Sequence, residues 1–174
     1  MSDKTLTGKV RFAYVNVWEP KANENGDEKY SVTVLIPKKD KATLKKIEDA
    51  VEKTIQGNLG KWNGKRPAKL KKPLRDGDED RPDSPEFAGM MFLNASTKMQ
   101  PGIIDKDRED ILERKEFYSG CWGRALLHFY AYNTSGNSGV GVGLNAVQKL
   151  EDGDRMSGSS WSADDFADGE DDIL

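Results

Sequence analysis

One cysteine, one histidine and no long apolar run mark this chain of 174 residues. A lone thiol, Cys121, can neither close an intrachain disulfide nor build a multi-cysteine zinc site. With His128 as the only imidazole, a zinc centre lacks ligands and Cys121 lacks a convincing base, so both residues read as structural. Apolar segments run to about 5–10 residues, well short of the roughly 20 that a membrane span requires. The opening Met-Ser-Asp-Lys-Thr-Leu-Thr-Gly-Lys has no apolar signal core. The expectation is a reduced, cytoplasmic protein with no membrane segment and no cofactor.

Charge is abundant instead, and it is unevenly placed. Residues 151–174 carry nine acids and one base, whereas the first 150 residues carry 26 bases and 21 acids. A body of net charge +5 therefore precedes a segment of net charge −8, a division that the overall −3 conceals. The chain ends with Asp168, Glu170, Asp171 and Asp172 followed by Ile173 and Leu174. Such acids can occupy a basic groove in competition with a polyanion, and the aliphatic tip can enter a partner's pocket. The sequence thus divides into a folded domain over 1–150 and a disordered acidic tail over 151–174.

Within the body, residues 10–18 and 29–36 read as strands, joined by a polar loop containing Pro20 and the turn signal Asn25-Gly26-Asp27. Asp40 can cap a helix that Gly57 stops. Leu44, Ile47, Val51 and Ile55 form its apolar stripe, which predicts packing against a sheet. Residues 57–89 form a long glycine-, proline- and charge-rich excursion. A short strand follows over 90–95, and residues 101–106 form another apolar-to-polar transition. Residues 125–132 and 140–150 are strongly β-prone, with Gly139, Gly141 and Gly143 permitting a bend or a close approach. The expected fold is mostly β with one main helix. Its best specific form is an OB-type, partly open five-stranded barrel with long loop insertions, with a sandwich or another α+β sheet as alternatives.

Two groups of residues fit nucleic acid. Lys61, Lys65, Arg66, Lys69, Lys71, Lys72 and Arg75 place seven bases and no acid between 61 and 75, with Trp62 among them. Such a loop can follow phosphates without reading sequence, and a ring within it can stack on a base. On the strand over 124–132, alternation gives one face Arg124, Leu126, His128, Tyr130 and Tyr132, and the other Ala125, Leu127, Phe129 and Ala131. The first face can stack bases and anchor phosphates. Trp122 adjoins it, and Arg11, Tyr14, Trp18 and Lys29 make a weaker set near the first hairpin. Asp76, Asp78, Glu79 and Asp80 invite a metal-dependent nuclease reading, but clustering in sequence supplies no two-metal geometry. A protein–protein assembly adaptor, with the lysine loop and acidic tail as docking elements, is the main alternative to nucleic-acid binding.

Four segments in order, YSVTVLIPK over 30–38, PLRDGD over 73–78, YSGCWGR over 118–124 and GVGLNAVQK over 141–149, resemble a phage-encoded single-stranded-DNA-binding protein family. The likeness spans roughly residues 8–150. It implies an OB-type fold and non-catalytic coating of single strands during phage replication or recombination, in the cytoplasm of an infected bacterium. It also implies that Tyr118, Trp122 and Arg124 belong to a structural or binding element, and that Asp76-Gly77-Asp78 is a turn. Phage or host replication and recombination proteins are the partners implied for the tail. Its ending differs from the common bacterial acidic tip, which finishes in proline and an aromatic residue. An exposed barrel edge leaves a homo-oligomer open.

Overall fold

A computed structural model describes residues 4–22, 24, 26–134 and 137–156. The strands are β1 (Lys4–Leu6), β2 (Val10–Ala22), β3 (Glu28–Pro37), β4 (Arg75–Asp76), β5 (Met90–Thr97), β6 (Gly102–Ile104), β7 (Trp122–Thr134) and β8 (Asn137–Glu151). The main helix is α1 (Lys41–Gly57), and a single turn, α2 (Gly77–Asp80), lies in the excursion after it.

Five strands form a circuit. β2 pairs with β3, and β3 with β5 from Tyr30↔Thr97 to Pro37↔Met90. β5 meets β8 in parallel at Ser96↔Gly143, β8 pairs with β7, and β7 returns to β2 at Val10↔Gly123 and Arg11↔Trp122. The two closing seams are short, so the barrel is partly open. The parallel seam requires a crossover, and β6 and β7 lie in the chain that joins β5 to β8. β1, β4 and β6 extend the sheet from β7, β5 and β8 respectively. This is the expected open OB-type fold, mostly β with one dominant helix.

The inward faces follow strand alternation. Val10, Phe12 and Val17 meet Val32, Val34, Ile36, Leu93, Ala95, Ala125, Leu127, Val142 and Leu144 in one buried core. Helix α1 packs on β7 and β8 through the expected stripe of Leu44, Ile47, Val51 and Ile55. The Asp40 carboxylate caps it, accepting from the Thr43 backbone N–H at 3.2 Å and the Thr43 hydroxyl at 2.7 Å. Strand β2 runs past the expected boundary and through Pro20. Its register with β3 is broken between Asn16 and Lys21, so the missing N–H interrupts no ladder bond there.

The excursion is tied down at both ends. Phe87 meets Phe92 edge-on at 5.0 Å, and with Ala13 and Leu35 they form a second apolar cluster outside β2, β3 and β5. Gly77 makes this possible, because a Cβ there would stand 2.4 Å from the Phe87 carbonyl oxygen and 2.6 Å from that of Met90. Lys38 Nζ bridges Asp76 at 2.8 Å and Asp78 at 2.7 Å. Hydrogen bonding from Lys38 holds both carboxyls below their ordinary 3.8, and the Gly89 N–H adds to the effect at Asp78.

Ile47→Ala is expected to destabilise the fold by about 2–5 kcal/mol, through lost burial and a residual cavity, in urea unfolding. Lys45→Ala on the exposed face should cost about 0.5 kcal/mol or less. The Lys38 cluster sets a sign with pH. Depressed carboxyls contribute stability that is complete above 3.8 and is lost as pH falls through their folded values. Lys38→Met should therefore be less stable than the unmodified protein at neutral pH. The gap between their urea midpoints should close under acid conditions below 3.8.

Candidate nucleic-acid interface

The β7–β8 hairpin has one face in the core and one outside it. Ala125, Leu127 and Ala131 are buried, and Phe129 packs against the same cluster. Arg124, Leu126, His128, Tyr130 and Tyr132 take the other face, as alternation predicts. Directly across from three of them are glycines, in the pairs His128↔Gly143, Tyr130↔Gly141 and Tyr132↔Gly139. A Cβ on Gly143 would stand 2.1 Å from the His128 ring, one on Gly141 2.5 Å from Tyr130, and one on Gly139 2.5 Å from the Tyr132 hydroxyl. Each side chain thus lies across the neighbouring strand in space that only glycine leaves. The His128 and Tyr130 rings sit side by side with centroids 6.3 Å apart. Tyr130 remains 43% exposed, and Nδ1 of His128 lies 2.7 Å from the Asn145 side-chain oxygen, which orients that ring.

The basic segment is fastened to the tip of this hairpin. The Lys71 N–H donates to the Ser138 carbonyl at 2.9 Å, and the Val140 N–H donates to the Lys71 carbonyl at 2.9 Å. Asn133 donates to the Lys61 carbonyl at 3.0 Å, and Lys71 Nζ donates to the Asn137 side chain at 3.2 Å. Lys61, Lys65, Lys69, Lys71 and Lys72 are exposed along this path. Arg66 is paired with Glu52 at 2.5 Å, beside α1. Arg75 lies on the far side of the excursion, bonded to Asp80 at 2.8 Å and set over the Phe92 ring.

Trp62 corrects the sequence-based expectation. Its side chain is in the core at 6% exposure, and its indole N–H donates to the Tyr132 carbonyl at 3.2 Å. It supports the aromatic strand from beneath and presents no face to a base. Trp122 and Arg124 lie toward the opposite end of β7, and the ten residue steps from Trp122 to Tyr132 correspond to about 33 Å. Lys9 and Arg11 sit over the Trp122 ring at 5.8 and 5.7 Å, while Arg124 Nε donates to the Thr7 carbonyl at 2.8 Å. Both side chains are thereby engaged with β2 and the residues before it. In the weaker set, Tyr14 is 51% exposed at a positive φ of 47°, and the Trp18 indole donates to the Phe117 carbonyl.

The acids at 76–80 serve the turn. Asp76 accepts from the Asp78 N–H at 2.9 Å, and both carboxylates face Lys38. Among the described residues no three His, Cys, Asp or Glu side chains converge as a metal site. Cys121 is buried, and that burial pushes its thiol up to about 11, as suits a packing residue. No helix among the described residues is long and apolar enough to cross a membrane. Asp168, Glu170, Asp171, Asp172, Ile173 and Leu174 lie outside the described residues. The chain leading to them leaves β8 along the body. Tyr118 donates to the Gly153 carbonyl at 2.9 Å, Arg11 donates to the Asp154 carbonyl at 2.7 Å, and the Met156 N–H donates to the Ser119 carbonyl at 3.0 Å.

His128 and the three glycines are functional candidates that the sequence reading did not select. A signal for them existed, since Gly139, Gly141 and Gly143 alternate along β8 as His128, Tyr130 and Tyr132 do along β7, and the hairpin pairs the two sets.

Known proteins resemble this chain in structure or in sequence. A single-stranded DNA-binding protein from bacteriophage Enc34, solved in complex with ssDNA, superposes with a TM-score of 0.76 at 27% identity, covering 88% of this chain and 89% of that one. The protein p50 of Acyrthosiphon pisum secondary endosymbiont phage 1 is 31% identical over 177 residues, covering 95% of this chain and 93% of p50. The bacteriophage T7 single-stranded DNA binding protein gp2.5 has a TM-score of 0.65 at 13% identity, covering 92% of this chain and 98% of that one, a likeness of fold alone. A family model matches residues 3–174, and the chain belongs to that family, described as Enterobacter phage Enc34, ssDNA-binding protein.

Proposed function

We propose that the protein coats single-stranded DNA without catalysis and with little sequence preference, during phage replication or recombination. The observation that carries this reading is the attachment of the lysine-rich segment to the aromatic hairpin. Residues 61–72 and 128–143 are far apart in sequence, and backbone bonds at Lys71 join them into one surface. Lys61, Lys65, Lys69, Lys71 and Lys72 neutralise phosphates, while Tyr130 and Tyr132 stack on bases. Neither contact depends on base identity. The family and the solved relative named as a complex with ssDNA support the same reading.

The acidic tail adds regulation by competition. Asp168, Glu170, Asp171 and Asp172 oppose the basic surface, and DNA displaces them by denser charge. Ile173 and Leu174 are then available to phage or host replication and recombination proteins.

Fluorescence anisotropy with matched single-stranded and duplex DNA across salt concentrations tests both parts. Affinity for the single strand should exceed that for duplex and fall steeply with salt. Replacing Lys61, Lys65 and Lys69 by alanine should flatten the log–log salt slope by about 0.7 per lost phosphate contact. Replacing the four tail acids by their amides in the full chain should tighten binding. Equal affinity for both DNA forms, or a salt slope near zero, would overturn the proposal.

A further inference from the structure

The placement of the rings constrains the shape of a bound strand. We propose that His128, Tyr130 and Tyr132 form a track that accepts a strand only with its bases splayed apart, one base to each ring, and that Gly139, Gly141 and Gly143 are the positioning residues that lay these rings down. The inference rests on the single-stranded-DNA reading above and specifies how that surface takes its ligand.

Alternate residues of a strand recur every 6.4–6.8 Å or so, and the His128 and Tyr130 centroids are 6.3 Å apart. Stacked bases are separated by about 3.4 Å along a strand. Two adjacent bases cannot remain stacked on each other while each meets a separate ring at nearly twice that distance. The rings reach across β8, their outer atoms filling the space above the glycines, with the His128 and Tyr130 planes tilted 45° to each other. A standing ring would intercalate between stacked bases. A ring reaching across the neighbouring strand offers its open side to a base that has already left the stack. In duplex DNA the bases are held in the stack by pairing, so the track refuses duplex through geometry. It reads no sequence, since every base has a π-face.

The glycines make the idea separable from the mere presence of aromatic side chains. At Gly141 and Gly143 the nearest atoms to an added Cβ belong to the rings of Tyr130 and His128. Alanine there lifts a movable side chain and leaves the backbone in place. Gly139 differs, because the Lys71 carbonyl oxygen would stand 2.6 Å from its Cβ. Gly141→Ala and Gly143→Ala therefore keep every ring and every positive charge while spoiling the track.

The test uses the full-length protein and a deoxyadenylate oligomer, whose long-wavelength circular dichroism reports base–base stacking. Saturation with unmodified protein should abolish that band. Gly141→Ala and Gly143→Ala should each weaken binding about 5- to 100-fold, comparable to loss of one stacked base, and leave more of the band at saturation. Tyr130→Ala, which inserts no atom, should weaken binding to the same extent, and Tyr130→Phe should restore it. Thermal unfolding of each variant confirms that the fold is retained. Tight binding with the stacking band intact would overturn the track while leaving single-strand binding standing. Unaltered affinity and dichroism in Gly141→Ala, Gly143→Ala and Tyr130→Ala would overturn it equally. Absence of binding by the unmodified protein would remove the parent reading and this one together.

Discussion

The β7–β8 pairing is the constraint on which the rest depends. It runs from Trp122↔Glu151 to Thr134↔Asn137 with two register shifts. One strand of the hairpin closes the barrel on β2 and the other closes it on β5, so both seams rely on it. Its inner face supplies Ala125, Leu127, Val142 and Leu144 to the core. Strand alternation then sends the intervening residues outward, and the site follows from the same ladder that builds the fold. A slip of one residue would turn Tyr130 inward and Phe129 outward, and would end the match between rings and glycines.

Attachment of the basic segment follows from this hairpin. Trp62 anchors the start of the segment in the core, and its N–H reaches the Tyr132 carbonyl. Lys71 joins the edge of β8 further along. The lysines between these anchors are held beside the rings by backbone and core contacts, leaving their ammonium groups out of the fold's own energetics. Beyond them, charge is put to structural use. Lys38 gathers Asp76 and Asp78, Arg66 pairs with Glu52, and Arg75 pairs with Asp80. Basic residues that look equivalent in sequence are thereby divided between exposed side chains and side chains paired within the fold.

The regular elements were legible because their signals are local. Asp40, the stripe from Leu44 to Ile55 and the stop near Gly57 specify a helix through contacts within one or two turns, and α1 is found there. The alternation over residues 124–132 correctly separated core from surface for the same reason. Trp62 misled because a tryptophan in a lysine-rich loop has no periodicity to show which way it points. Only the site where the loop docks decides that, and it docks the ring inward. Gly139, Gly141 and Gly143 by themselves show only that the strand can bend or be closely approached there, since their pairing partners lie across the hairpin. The approach proves to be that of aromatic side chains.

By itself the sequence determined the charge partition, the helix, the approximate strands and the type of chemistry available, because these depend on composition and short-range periodicity. It also determined the family, through motifs spread along the chain. Tertiary structure alone decided which cations remain available, that Trp62 is core, that Trp122 and Arg124 stand apart from the tyrosines, and that three rings share a surface with three glycines. Those outcomes depend on strand register and loop docking, which arise from contacts between residues distant in sequence and leave no local trace.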